Sequence, residues 1–476
     1  MLNYLDVFMK KFYVTTPIYY INAEPSIGSA CTTVAADVIA RLHRQLGEEV
    51  FLLTGTDEHG EKVSETAEKA GLSPIEFCNQ IAPKFEEAWK LLNISNDFFI
   101  RTTDTRHEKI VGKFLQKMYD AGDVYKGKYE GWYCTGCEAF KTEKELVDGH
   151  CSLHPPEKTV LKSEENWFFK LSKYIPQIIT LIKNSETNYI FPESKRLETL
   201  AKLKAGVNDV SISREKVKWG IPVPWDTDHT IYVWIDALIN YYSATVFLDG
   251  KKDFWPANIH LLGKEILWFH TVIWQAMLLS TNIALPKKTY IHDFYTIDGQ
   301  KMSKSLGNTI PPKEMVDLFG SDGARYLIIR SFPNNGDVDV GILRFKERYN
   351  ADLANNLGNL VSRICKLGDK LPITNYELRI EEKYRELINN LKFDEAINLV
   401  FEKYIDKSNN RLNEVTPWKL EANDPNRIAV LSECAQNLKI AATHLLPIMP
   451  EISKKILEQL NGEIKSLETG LFPRIG

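Results

Sequence analysis

The stretch 12–54, FYVTTPIYYIN AEP SIGSACTTVAADVIARLHRQL GEE VFLLT, decides the fold. Residues 12–22 are rich in β-branched and aromatic types, which fit a pleated, half-buried strand. Ile27, Ala30, Val34, Val38, Leu42 and Leu46 then recur at helical spacing, and 50–54 is again a short apolar strand. Strand, helix and strand make one β-α-β unit, the building block of a parallel doubly wound (Rossmann-like) sheet. In the turn Glu24-Pro25-Ser26-Ile27-Gly28-Ser29-Ala30 a helix begins. Its free N–H groups and positive dipole end can hold a phosphate, and Gly28 permits close approach. Read by itself, the same turn is a plain helix start with Ser26 as N-cap.

Outward from this unit, residues 126–170 are rich in cysteine, aromatics and turn formers and read as an insertion of small strands. The parallel-sheet pattern resumes at 229–240 and 258–300, where the strand-like runs TIYVWI, IHLL and TYIHDFYTI alternate with a helix over 264–279. From about 350 onward only amphipathic helices with caps and proline breaks are expected. The chain thus divides into 1–115 and 226–350 as two halves of an α/β catalytic domain, 116–225 as a connective insertion, and 351–476 as an all-α bundle.

The 476 residues are 44% apolar and 26% charged, with net charge -4, as in ordinary soluble globular protein. Charge neither supports nor excludes RNA, since a local basic surface suffices. The apolar stretch Leu261 to Leu279 is interrupted by Lys264, Glu265 and His270, so it reads as core rather than membrane span. Met1 to Met9 is too short for a signal peptide, its lysines follow rather than precede it, and a cytoplasmic chain is expected. Of seven cysteines, Cys31, Cys78, Cys365 and Cys434 stand alone and read as reduced core residues.

The other three belong to a pattern. Cys134, Cys137, Cys151 and His154 form C-x2-C-x13-C-x2-H, spacing that brings two tight turns around a tetrahedral ion. Four protein ligands close the shell, so a single structural zinc is expected, folding an insertion too small for its own core. Downstream, the tight turn Asp298-Gly299 leads into Lys301-Met302-Ser303-Lys304-Ser305, two lysines and hydroxyls on a Gly-flanked loop suited to a polyphosphate. A P-loop is excluded: after Gly55-x4-Gly60 the position that motif gives to lysine holds Glu61, which would repel phosphate.

The string Lys301 to Ser305 resembles the second signature of class I aminoacyl-tRNA synthetases. Within that class TTPIYYIN, AADVIAR, TGTDEHGEKV, SISREKVKWGIPVP, YVWIDALINYY, GKEILWFH and DGQKMSKSLGN resemble the methionyl-tRNA synthetase family over essentially the whole chain. The resemblance implies ATP-driven activation of methionine with Mg2+, then transfer to tRNA(Met). It implies Ser26, Ser29, Lys301 and Lys304 as the catalytic set, and Gly28, Gly263, Glu265, Lys301, Ser303 and Lys304 around ATP. It further implies Ile18, Tyr20, Trp234, Ala237, Leu238, Tyr241 and His270 around the methionine side chain, with Asp57 on the ammonium group. Asn359, Arg363 and Trp418 match positions that read the anticodon, as an aromatic and an Arg/Asn pair suit splayed bases. Two departures stand out. Ser26 and Ser29 replace both histidines of the first signature, and Glu265 replaces the family's aspartate. The last residues, Phe472 to Gly476, stop short of the C-terminal tRNA-binding, dimerising domain of some members, so a monomer is expected.

Two rival readings compete with this one. A non-catalytic tRNA-binding relative is disfavoured by the intact Lys301 to Ser305 and Asp57. Isoleucine, leucine, valine and cysteine enzymes share the motifs, and the compact insertion, with no room for a large editing domain, disfavours the first three.

Overall fold

The computed structural model describes residues 10–135, 139–141, 146–152, 155–302, 307–373 and 378–476. Six parallel strands form its central sheet: β1 (Lys11–Tyr20), β2 (Glu49–Asp57), β3 (Phe98–Arg101), β4 (Ile190–Phe191), β5 (Ile259–Gly263) and β6 (Thr289–His292). Their lateral order is β3-β2-β1-β5-β6-β4. The chain runs outward from β1 through β2 to β3, then returns to lay β5 on the other side of β1. The order therefore reverses between β1 and β5, and a crevice at the carboxyl ends of such strands is where open α/β sheets take ligands.

One irregularity sets the site. β1 and β2 pair from Lys11 with Glu49 to Thr15 with Leu53, then shift and resume from Ile18 with Gly55 to Tyr20 with Asp57. Pro17 sits at the break, where its missing N–H could not serve a ladder. The shift sets Tyr20 beside Asp57 at the strands' carboxyl ends.

Helix α1 (Ile27–Gln45) follows β1, and its mid-helix residues are buried nearly all round. Asp37, 0% exposed, meets Nη1 of the equally buried Arg325 at 2.7 Å and Nε of Arg41 at 2.7 Å. Burial alone would raise the Asp37 carboxyl; the two guanidinium groups hold it below its usual value. Arg325 also donates to the carbonyls of Leu92, Pro447 and Ile448, tying the sheet layer to the C-terminal helices.

Two runs read as single strands divide differently. Asp226–Ile231 is a strand of a small antiparallel sheet, and Val233–Phe247 is a helix, here α2. The apolar run there is fully buried on both sides, so it carries no periodicity to separate strand from helix. TYIHDFYTI splits too: β6 ends at His292, and Tyr295–Ile297 pairs with Gln300–Lys301 and Val338–Asp339 in a separate sheet. Between β3 and α2, strands Val124–Cys134, Ala139–Lys141, Thr159–Phe169 and Val210–Ser211 form an antiparallel sheet, while β4 joins the edge of the parallel one.

Beyond Ile342 the regular elements among the described residues are helices, with one isolated bridge, Pro372 to Glu463. These helices share a continuous apolar core with α1. Among the described residues no helix is long and apolar enough to cross a membrane. Cys31, Cys78, Cys365 and Cys434 are buried thiols.

Candidate active site

A cavity of about 570 Å³ opens at the carboxyl ends of β1 and β5. Ile18, Tyr20, Asp57, Trp234, Ala237, Leu238, Tyr241 and His270 all line it, although they come from four separate segments. Ser26, Gly28, Ser29, Gly263 and Glu265 line it as well. β1 contributes the first two residues, β2 its terminal Asp57, and α2 a face of Trp234, Ala237, Leu238 and Tyr241 at helical spacing.

The apolar part is closed by an uncharged polar pair. Tyr241 donates its hydroxyl hydrogen to Nε2 of His270 at 2.8 Å, while Nδ1–H of His270 donates to the Ile266 carbonyl at 3.0 Å. Burial pushes His270 down to about 4 and the Tyr241 phenol upward, so both are neutral at pH 7. Trp234 stacks on Phe269 with centroids 4.3 Å apart and planes 15° apart. Aromatic faces and a neutral polar end suit a polarizable thioether. Asp57, 3% exposed, is one of three carboxylates lining the cavity, with Glu265 and Asp293, and is paired in register with Tyr20.

On the other side lies the start of α1. The Ser29 hydroxyl accepts from the Ser26 N–H at 3.1 Å and donates to the Ser26 carbonyl at 2.8 Å, so it is engaged in the helix cap. The N–H of Ile27 goes to Ile310 and that of Ala30 to Ser26. A Cβ added to Gly28 would lie 3.5 Å from Ser26 Oγ and 4.0 Å from Met302 Sδ, so the two signature segments, far apart in sequence, meet here. At Gly263 a Cβ would collide with the Glu265 carboxylate, which folds back over the glycine. The Lys301 backbone ends the strand Gln300–Lys301; Ser303, Lys304 and Ser305 lie outside the described residues.

Three of the strings quoted above converge on one another. Asp236 accepts from Nδ1 of His59 and Nε2 of His107, both at 2.7 Å, and Trp219 Nε1–H donates to the Glu58 carbonyl at 2.6 Å. Burial opposes charge on His59, but the bond and charge of Asp236 raise it above its ordinary value. Thus TGTDEHG, KWG and WIDA are three faces of one knot.

Several lining residues escape sequence reading. His292 accepts from Thr32 Oγ1 at Nε2 and donates from Nδ1 to the Asp293 carbonyl, both at 2.7 Å, and burial pushes it down to about 4. Phe269, Lys62 and Lys141 also line the cavity. The only signal for His292 is its position at the end of a β-strand, where sheet residues meet ligands.

Of the expected metal ligands, Cys134 and Cys151 are buried, and Cys137 and His154 lie outside the described residues. Cys134 pairs with Thr159 across the sheet, and the Cys151 N–H donates to Thr159 Oγ1 at 3.0 Å, so both thiols flank one residue. Among the described residues no group of three or more potential metal ligands is assembled, two of the four expected ligands lying outside them. In the helical part, Arg363 stacks over the Trp418 ring at 5.0 Å and donates to Asn413 Oδ1 at 2.9 Å. Trp418 is 46% exposed, and Asn359 lines a cleft with Asn355, Ser362, Phe472 and Arg474.

The model of class I tRNA synthetases (M) matches residues 12–156 and 142–365. The methionine-tRNA ligase of Thermotoga maritima is 43% identical over 96% of this chain and 76% of its own length. That of Nostoc sp. is 41% identical over 96% of this chain and 91% of its own. A Mycobacterium tuberculosis methionyl-tRNA synthetase solved in complex with methionyl-adenylate superposes with TM-score 0.89 at 33% identity, covering 98% of this chain and all of that one.

Proposed function

The chain belongs to the methionyl-tRNA synthetase family of class I, and from that membership we propose that ATP and L-methionine react in the crevice between β1 and β5. The chain is an aminoacyl-tRNA ligase: it activates methionine as methionyl-adenylate and charges tRNA with it. The observation that carries the site assignment is the meeting of eight scattered residues, Ile18 to His270, in one cavity that also holds the start of α1.

The methionine carboxylate oxygen attacks the α-phosphorus of ATP; the O–P bond forms as the bond to the bridging oxygen breaks, and pyrophosphate leaves. The terminal ribose hydroxyl of tRNA then attacks the methionyl carbonyl and AMP departs. Neither step needs a protein nucleophile, so the residues position and neutralise. Asp57 holds the ammonium, while Trp234, Ala237, Leu238 and Tyr241 enclose the side chain with Ile18, Tyr20 and His270. The N-terminus of α1 at Gly28 and Ser29, with Gly263, Glu265, Ser303 and the Lys301 and Lys304 ammonium groups, receives the nucleotide and the leaving pyrophosphate. Magnesium, when bound with ATP, neutralises phosphate charge.

We divide the chain into catalytic halves 1–115 and 226–350, a zinc-folded insertion 116–225 held by Cys134, Cys137, Cys151 and His154 that also lends β4 to the edge of the catalytic sheet, and an anticodon-reading bundle 351–476 that uses Asn359, Arg363 and Trp418. Incubation with ATP and methionine, followed by mass spectrometry of the species retained on the protein, tests the reading. Methionyl-adenylate is expected, and ATP retained unchanged contradicts it.

A further inference from the structure

Resting on the methionine-activating reading, we infer that Asp236 is a positioning residue for the amino acid: by gripping His59 and His107 together, it fixes the face of α2 that encloses the methionine side chain against the end of β2 that carries Asp57. Methionine has to meet both at once. Its ammonium group and its thioether belong to one short molecule, so a displacement of one contact relative to the other weakens the pair.

Asp236, His59 and His107 are not cavity-lining residues; they hold ones that are. Asp236, 1% exposed, stands on α2 between Trp234 on one side and Ala237 and Leu238 on the other, all three of which line the cavity. Its Oδ2 accepts from Nδ1–H of His59 and its Oδ1 from Nε2–H of His107, each at 2.7 Å. His59 closely follows Asp57 in the chain, and its carbonyl accepts from the Tyr20 hydroxyl at 3.3 Å. The histidine is thus tied to both members of the register pair Tyr20 and Asp57. His107 belongs to the helix Thr105–Asp120, and its other nitrogen meets Ser243 Oγ of α2 at 2.7 Å. One ring therefore pins α2 at two points on the same face, Asp236 and Ser243.

Two donors on one buried carboxylate make a strong grip. Burial alone would raise the Asp236 carboxyl, and the two imidazoles hold it below its ordinary value, so both bonds run to an ionised acceptor. On its far side His59 faces Glu108 at 3.8 Å and the Trp219 ring edge to face, with centroids 5.4 Å apart. Its ring is held from three elements. Hydrogen bonds made by residues one layer away from a substrate are what keep the contacting side chains within about 0.5 Å of their working positions.

The test is titration of the full chain with L-methionine, with ATP, and with 4-(methylthio)butanoate, which has the same thioether chain and carboxylate but no ammonium group. Asp236→Asn keeps the shape of the side chain and can accept from only one of the two histidines. It is expected to weaken L-methionine about tenfold, as loss of one charge-assisted hydrogen bond does, and to leave the amine-free analogue and ATP unchanged. Each end of the site stays intact and only their spacing is lost. His59→Asn, whose amide N–H can stand where Nδ1–H stood, should keep most of the parent's affinity for methionine. His59→Ala should lose as much as Asp236→Asn, and it carries the test if that variant does not fold. Methionine binding like the parent's in Asp236→Asn and His59→Ala overturns the inference. So does an equal weakening of methionine, analogue and ATP, the mark of a cavity merely loosened. If the parent chain binds ATP but not L-methionine, the reading of the site falls and the inference with it.

Discussion

Tyr241 and His270 stand on different elements, α2 and the helical segment after β5, and share one hydrogen bond of 2.8 Å in the wall of the cavity. Because Nδ1–H of His270 is committed to the Ile266 carbonyl, Nε2 must accept, and Tyr241 is its donor. Tyr241→Phe removes that donor while keeping the ring, leaving a buried acceptor unsatisfied at a cost of about 1–3 kcal/mol. The methionine KM in ATP-pyrophosphate exchange should rise and the melting temperature fall. Unchanged values for both would show that the hydroxyl is dispensable.

The buried histidines also fix a pH dependence. His270 and His292 are each pushed down to about 4 by burial, against about 6.5 unfolded. The unfolded chain binds more protons in that window, so their stabilisation is complete above about pH 6.5 and is lost as pH falls toward 4. The slope is about 1.4 kcal/mol per pH unit for each residue. His59, raised by Asp236, has the opposite sign and loses its contribution as pH rises through its folded value. Urea unfolding between pH 7.5 and 5 should therefore show falling stability, with a shallower slope in His292→Asn. An identical slope in that variant would contradict the assignment.

How much of this was legible before the structure depends on what the residues had to do. The β-α-β unit at 12–54 was readable because β1 and α1 carry distinct periodicities. The run TIYVWI was not: Val233, Ile235 and Leu238 are buried on a helix covered from both sides, so alternation and helical repeat look alike. The eight methionine-pocket residues were named from a resemblance, and no spacing along the chain foretells that Tyr20 faces Asp57. That follows from the register shift at Pro17. His292 and Phe269 were missed because each is a single residue at the end of an element, without a surrounding string. The engagement of Ser29 in the helix cap was likewise invisible, since serine at such a position is equally suited to cap or to ligand.

That engagement makes a prediction about the phosphates. With the Ser29 hydroxyl turned onto Ser26, the charge developing on the phosphates falls mainly to the α1 N-terminus and to Lys301 and Lys304. Lys301→Ala or Lys304→Ala should slow adenylate formation about 100-fold or more in single-turnover experiments, with little change in methionine affinity. Ser26→Ala and Ser29→Ala should cost about 0.5–1.5 kcal/mol. A serine variant as impaired as a lysine variant would show that these hydroxyls carry the full role of the family's histidines.

For the insertion, metal analysis should find one zinc per chain. Cys134→Ser or Cys151→Ser should release it and expose the hairpin around Thr159 to protease while the C-terminal helices stay resistant, because the binding energy of such a site is folding energy. Full protease resistance in a zinc-free variant would refute the structural role.

The most direct test of the account is amino-acid-dependent ATP-pyrophosphate exchange measured across the common amino acids with the parent chain. A cavity shaped by Trp234, Leu238 and Tyr241, with the neutral His270 at its end, predicts that methionine drives exchange far more efficiently than any other. Weak exchange with leucine is tolerable, since a methylene-scale difference separates substrates by only about 1–3 kcal/mol. Stronger exchange with isoleucine or cysteine than with methionine would contradict the account.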